Sequence, residues 1–201
     1  MNEIFDMLEY EKKYWDMGLK FVAGADEAGR GPLAGPVYAA AVILKPGTVI
    51  EGLTDSKKLS EKKRDYFFDV IKETALCYSI ASVDEKTIDE INILNATYLA
   101  FKKAIEGLSI KPEIALIDGN RMGELPCEKE LIIKGDQKSL SISAASVLAK
   151  VSRDRHMDIL DEMYPQYGFK KHKAYGTKAH YEALEKYGAS DVHRKSFRLF
   201  K

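Results

Sequence analysis

The apolar run Phe21-Val22-Ala23-Gly24-Ala25 closes on Asp26-Glu27, and a second run, Ile114-Ala115-Leu116-Ile117, closes on Asp118-Gly119. Asp and Glu are disfavoured inside strands, and the strand ends of α/β sheets open onto the crevice where ligands bind. An apolar run that ends in a carboxylate and a glycine is therefore a common way to present a ligand atom. Taken singly, each such residue is more often a turn or cap. A third source lies in a helical stretch: counting from Ser143 at 100° per residue, Val147, Lys150 and Asp154 fall within about 40° of one line. Ala144, Ala145, Leu148 and Ala149 occupy much of the remainder. That stripe either faces the same crevice or is an ordinary i,i+4 pair of Lys150 with Asp154, worth only a few tenths of a kcal/mol.

Several carboxylates in one crevice raise one another's pKa values, and two divalent cations would balance the charge of four such groups. Oxygen-only ligands select Mg²⁺ or Mn²⁺ over zinc, and His156 is the only Cys or His close in sequence to these positions. Two hard cations roughly 3.5–4 Å apart activate water and stabilise a leaving oxygen in an in-line displacement, which implies phosphodiester hydrolysis. The turn Ala28-Gly29-Arg30-Gly31-Pro32-Leu33-Ala34-Gly35-Pro36 follows directly. It lacks the Lys-Ser/Thr of a P-loop, and Pro32 interrupts the helix start that a dinucleotide fingerprint needs. Glycines on both sides of Arg30 let the main chain approach a ligand, which suits reading a sugar hydroxyl or phosphate with backbone groups; by composition alone a merely tight turn fits as well.

The elements that must position these residues are legible as apolar patterns. Ile4 to Met17 reads as an amphipathic helix with Ile4, Phe5, Leu8 and Trp15 near one face. Strands are predicted at Phe21–Asp26, Val37–Leu44, Cys77–Val83, Ile114–Ile117 and Leu131–Ile133. Helices are predicted from a Ser60 cap through Ile71, over Thr87–Leu108, over Leu140–Leu160, and after Thr177. Strands mixed with helices, beginning with hairpin-like neighbours, predict an α/β layered domain with a mixed sheet.

The chain has 201 residues, 45% apolar and 31% charged. That length can bury roughly 70% of its extended surface, enough for a full core. The composition excludes disorder, and no apolar run nears the ~20 residues that cross a bilayer. Cys77 and Cys127 stand far apart, so neither a disulfide framework nor a structural zinc site is expected. Met1-Asn2-Glu3-Ile4-Phe5-Asp6 lacks the basic and apolar regions of a signal peptide, and a cytoplasmic protein is the expectation. The balance of 31 basic and 31 acidic side chains hides an asymmetry: Met163–Lys201 holds nine Lys or Arg and three Asp or Glu, giving +6, so Met1–Glu162 carries −6. A basic end on an acidic body suits a polyanion held beside a carboxylate site. A catalytic domain over residues 1–163 and a basic helical appendage over 164–201, packed on it, are expected, with Pro165 halting the long helix at the boundary.

Gly24-Ala25-Asp26-Glu27-Ala28-Gly29-Arg30-Gly31-Pro32-Leu33-Ala34-Gly35-Pro36-Val37 resembles the opening signature of bacterial ribonuclease HII, the type 2 ribonuclease H. The resemblance continues in order through Asp55-Ser56-Lys57-Lys58-Leu59, Ile117-Asp118-Gly119, Lys134-Gly135-Asp136, Ala144 to Asp154, His172-Lys173-Ala174-Tyr175-Gly176-Thr177 with His180, and His193-Arg194-Lys195-Ser196-Phe197. It implies a ribonuclease H-like, mixed five-stranded sheet flanked by helices, and a metal-dependent endoribonuclease leaving 5′-phosphate and 3′-hydroxyl ends. The implied substrates are the RNA strand of RNA/DNA hybrids and single ribonucleotides in duplex DNA, incised on their 5′ side, as in ribonucleotide removal from DNA. Carried over by position, Asp26, Glu27, Asp118 and Asp154 would be the catalytic carboxylates binding two Mg²⁺ or Mn²⁺. Gly29, Arg30 and Gly31 would read the ribose 2′-hydroxyl through the backbone, and Tyr175 would pack on the neighbouring deoxyribose. Asp136 is assigned to supporting structure. The family's junction motif usually has Gly before the tyrosine, where this chain has Ala174. Lys57, with Lys58, Lys170, Lys171, Lys173 and Lys178, is expected on backbone phosphates. A ribonuclease HIII-like enzyme and a catalytically silent hybrid-binding module are the alternatives. A monomer is expected, and no replication-protein partner is named by these residues.

Overall fold

The computed structural model describes residues 7–200. A helix α1 (Glu9–Asp16) precedes strands β1 (Val22–Ala28) and β2 (Val37–Ile43), then α2 (Glu61–Thr74), β3 (Cys77–Val83), α3 (Glu85–Glu106), β4 (Ile114–Asp118) and β5 (Glu128–Ile132). The long α4 (Leu140–Met163), a short α5 (Phe169–His172) and α6 (Lys178–Tyr187) complete the chain. The sheet is five-stranded in the order β3-β2-β1-β4-β5. β1 pairs antiparallel with β2 and parallel with β4, so the mixed character expected from the sequence is centred on the strand that carries Asp26 and Glu27.

Alternation along β1 decides where its two acids point. Ala23 and Ala25 pack with Ala39, Ala41, Ala100 and Phe101 on the α3 side of the sheet. The opposite face packs Ala40 and Val42 against Phe67 and Phe68 of α2 and Ala144, Val147 and Leu148 of α4. With a side-chain period of two, Gly24 and Asp26 face α4 while Glu27 shares the α3 side. Gly24 is glycine because α4 crosses there: a Cβ would lie 2.2 Å from the Ser141 carbonyl carbon and 2.3 Å from the Ile142 nitrogen. Gly24→Ala is expected to destabilise the fold by about 2 kcal/mol, checked by denaturant unfolding, because both contacts are backbone and cannot rotate away. A wild-type midpoint would show that α4 shifts freely.

The start of α4 is fixed from α1. Glu11 is buried, and its Oε1 accepts from Ser139 Oγ (2.6 Å), Ser141 N (2.9 Å) and Ser141 Oγ (2.6 Å), placing a carboxylate on free amides at the helix N-terminus. The predicted helix over Ile4–Met17 is thus found as α1; Ile4 and Phe5 lie outside the described residues.

Other boundaries move for identifiable reasons. β5 begins at Glu128 rather than Leu131, because an edge strand tolerates charges: Glu130 faces α1, accepting from Lys13 Nζ (2.9 Å) and Tyr14 Oη (2.5 Å). α3 starts earlier than expected because the Asp84 side chain caps it through the Thr87 N–H at 2.8 Å. The residues after α4 share a core with it, as Tyr167, Phe169, Ala174, Leu184 and Leu199 cluster with Met157, Leu160, Leu33 and Ala34. Among the described residues no helix is long and apolar enough to cross a membrane.

Candidate active site

Three of the predicted acids gather at the carboxyl ends of the parallel pair β1 and β4. Asp26 is buried and lies next to Ser146 of α4, whose hydroxyl hydrogen-bonds it. Burial, then Glu27 and Asp118, push its carboxyl well above the usual range. Glu27 is also raised, by burial first and by Asp118, against the opposing pull of Arg30, whose Nη1 stands 3.4 Å from its Oε1. Consecutive strand residues point to opposite faces, and here the divergence is harmless: Glu27 is the penultimate residue of β1 and lines hollows on both sides of it. Asp118 ends β4 and accepts the Gly135 N–H at 2.6 Å.

That last bond brings a further acid to the cluster. Gly135 opens a 3₁₀ turn, Gly135–Gln137, and the turn brings Asp136 beside Asp118. Burial, then Asp55 and Asp118, lift the Asp136 carboxyl to about 6. Asp136 is therefore part of the acidic cluster and not merely supporting structure. Asp154 is not brought there. Its Oδ1 takes Lys150 Nζ at 2.6 Å, its Oδ2 faces Arg64 at 4.0 Å, and it lines a separate hollow with Asp65, Arg155 and Asp158. Of the two readings of the helical stripe, the i,i+4 pair is the one realised; Lys150 and Ser146 reach the Asp26 hollow, and Asp154 stands one turn too far on.

The hollow holding Asp26 and Glu27 measures about 310 Å³ and is walled by Gly29, Arg30, Gly31, Lys57, Arg153 and Tyr175. The predicted substrate readers are thus on the same wall as the carboxylates. Burial alone would lower the Lys57 ammonium, but Asp26, Asp136, Asp55 and Asp118 together raise it. Its loop is anchored by Ser56 Oγ to Ser146 Oγ at 2.7 Å and by the Lys57 N–H to Asp55 at 2.8 Å. Tyr175 is 47% exposed at the rim, close enough to Gly31 that a Cβ there would meet its ring at 3.5 Å. Ala174, where the family usually has Gly, adopts φ +65° and is fully buried, so the left-handed turn is kept with a methyl in the core. Lys170, Lys171 and Lys178 are exposed, whereas Lys173 is drawn onto Asp158.

Three groups escaped the sequence reading. Arg153 is buried under the turn, its side chain 2.1 Å from where a Gly29 Cβ would stand, and it donates to the carbonyls of Ala34, Pro36 and Lys173. Arg194 does likewise from the C-terminal segment. His193 and His180 form a directed relay. Ser190 donates its N–H to His193 Nδ1 (3.0 Å), so His193 carries its proton on Nε2 and donates to His180 Nε2 (3.1 Å), leaving His180 Nδ1–H to donate to the Tyr175 carbonyl (3.0 Å). Burial lowers both imidazoles, His193 to about 4, as this neutral arrangement requires. The His193-Arg194 dipeptide belonged to a recognised motif, but nothing in its spacing said what it touches.

The donor set fits hard divalent cations: it is all oxygen, partly buried, and its acids repel one another in the absence of countercharge. Among the described residues no three acids or imidazoles converge tightly enough to hold an ion by themselves.

Known proteins share both the sequence and this architecture. A ribonuclease HII from Clostridioides difficile (strain 630) is 56% identical over 188 residues, 94% of this chain and 74% of that protein. The crystal structure of the ribonuclease H2 from Pyrococcus horikoshii OT3 superposes with a TM-score of 0.76 at 28% identity, covering 89% of this chain and 94% of that one. The RNase HII in the PCNA:RNase HII complex from Archaeoglobus fulgidus does so with a TM-score of 0.74 at 25% identity, over 90% and 96%. With the family model for ribonuclease HII matching residues 23–200, all of the sheet but its first residue and the acids at its strand ends included, the chain belongs to the ribonuclease HII family.

Proposed function

We propose that this ribonuclease H cuts the RNA strand of RNA/DNA hybrids and incises 5′ to single ribonucleotides embedded in duplex DNA. One observation supports the reading above others: Asp26 and Glu27, the Gly29–Gly31 turn and Tyr175 wall a single hollow, so a scissile phosphate, a ribose and the next sugar can be met together. In this reading Asp26, Glu27, Asp118 and Asp136 hold two Mg²⁺ or Mn²⁺. Such ions, when bound, supply the positive charge that makes water a nucleophile and stabilises the leaving 3′-oxygen. The chain's own groups do the rest. Ser146 and the Gly135 N–H orient Asp26 and Asp118, and Lys57, held in a field of acids, stays protonated to meet a phosphate. Main-chain groups of Gly29, Arg30 and Gly31 meet the 2′-hydroxyl, which DNA lacks. Tyr175 stacks on the following sugar. The enzyme acts as a cytoplasmic monomer, and the PCNA bound to its archaeal neighbour makes a replication protein the partner class to seek.

The test is incubation with Mg²⁺ or Mn²⁺ and end-labelled duplexes containing one, four or no ribonucleotides, with an EDTA control. Metal-dependent incision 5′ to the lone ribonucleotide, with all-DNA intact, is the expected result. Cutting confined to the four-ribonucleotide duplex would remove the junction role of Tyr175, and binding without cutting would favour a silent hybrid-binding module.

A further inference from the structure

Arg194 is fully buried, and its guanidinium spends its donors on the glycine-rich turn more than 150 residues earlier in the chain. Nε donates to Gly35 O (2.9 Å), Nη1 to Arg30 O (2.9 Å) and Nη2 to Gly29 O (2.6 Å). The segment that carries it is itself paired with the turn: Arg194 N–H donates to Leu33 O (2.9 Å), Gly35 N–H donates to Val192 O (2.8 Å), and the Phe197 ring lies 5.1 Å from the guanidinium carbon.

A trans peptide holds its C=O and the following N–H on opposite sides. With the Gly29 and Arg30 carbonyls turned onto Arg194, the Arg30 and Gly31 amides are turned away from it, and both residues wall the hollow that contains Asp26. Among the described residues neither amide donates to another protein group. A carbonyl that accepts from a cation also polarises its own peptide unit, which makes the N–H across the amide a stronger donor.

We infer that Arg194 is the positioning residue of the ribose reader: it aims and strengthens the Arg30 and Gly31 amides as donors to a substrate oxygen. The inference rests on the proposed reading of the 2′-hydroxyl by this turn. Lysine would keep the charge but, with one nitrogen, could not hold three carbonyls in a plane.

The experiment compares the affinity of the full-length protein, in EDTA so that nothing is cleaved, for a duplex with one ribonucleotide and for the same duplex in all-DNA form. The ratio of the two affinities is the readout. Arg194→Lys is expected to lower that ratio roughly tenfold while leaving all-DNA binding unchanged, the scale of one charge-assisted hydrogen bond. Added guanidinium should restore the ratio in Arg194→Ala. If the Arg194 variants do not fold, Phe197→Leu, which removes only the ring beneath the guanidinium, should lower the ratio in the same direction by a smaller factor. A wild-type ratio of one would sink the 2′-hydroxyl reading, and this inference with it. A selective wild type with an equally selective Arg194→Lys, or equal losses on both duplexes, would overturn the inference alone.

Discussion

Asp136→Asn is expected to slow cleavage at least about a hundredfold and at the same time to stabilise the metal-free protein, whereas Asp154→Asn is expected to do neither. If the set holds two cations as proposed, removing one of its charges forfeits about 3 kcal/mol of transition-state stabilisation, which is the scale of the rate loss. The stability gain follows from the Asp136 carboxyl, raised from its usual 3.8 to about 6 by burial and by Asp55 and Asp118. An acid whose pKa is raised on folding holds its proton more tightly in the folded chain. Its contribution to stability is therefore present at low pH and lost as the pH rises through about 6. At pH 7 the ionised side chain works against the fold, and asparagine removes that penalty. The full displacement corresponds to about 3 kcal/mol, of which solvent contact and sharing with Asp55 leave about 1–2 kcal/mol.

Asp154→Asn gives up the half-buried pair with Lys150 and is expected to cost about 1 kcal/mol of stability, with turnover within a few-fold of wild type. Thermal melts in EDTA and with added Mg²⁺, together with single-turnover cleavage, separate the cases. Mg²⁺ should raise the melting temperature of wild type and Asp154→Asn much more than that of Asp136→Asn. An active Asp136→Asn beside a crippled Asp154→Asn would restore Asp154 as the fourth carboxylate.

That Asp136 stands beside Asp118 while Asp154 lines another hollow shows where sequence reasoning stopped. Asp26 and Asp118 were legible because an apolar strand and the acid that ends it are adjacent in the chain. Asp136 sits in a 3₁₀ turn whose place is set by a bond from Gly135 to Asp118, a relation between segments 17 residues apart that periodicity does not encode. The helical wheel offered the crevice as one reading of the stripe that holds Lys150, and Lys150 does line it, but a wheel has no axial coordinate, and Asp154 lies one turn beyond the cluster. β5 was shortened for a related reason: Glu128 and Lys129 look unlike strand residues until β4 is known to pair with them. Arg194 and His193 were visible only as part of a family motif, because what they grip is a set of carbonyls and rings with no signature of their own.

Acid should loosen the Tyr175 wall before it unfolds the sheet, and His193 is the group expected to dominate. Its imidazole, lowered from 6.5 to about 4 by burial and then by His180, is neutral in the fold and charged in the unfolded chain at pH 5. A base whose pKa falls on folding contributes stability that is fully present above 6.5 and is lost as the pH drops toward 4, about 3 kcal/mol in all. His193 is enclosed by His180, by the Tyr167 and Phe169 rings, and by Ser190, and Arg194 follows it in the chain. None of these supplies an anion that could accommodate its charge. Protonating His193 sets its new Nδ1–H against the Ser190 N–H across 3.0 Å, and protonating His180 sets two N–H donors face to face across 3.1 Å, so the relay that ends on the Tyr175 carbonyl is strained first. His193→Gln keeps a donor near Nε2 but cannot take a proton. The acid limb of its stability profile, measured by urea unfolding between pH 6.5 and 4, should therefore be flatter than that of wild type by about that 3 kcal/mol. Because Asp136 titrates in the same interval with the opposite sign and is present in both proteins, the difference between the two profiles isolates the histidine. Parallel profiles would mean that His193 is already protonated in the fold and that the relay to Tyr175 does not exist.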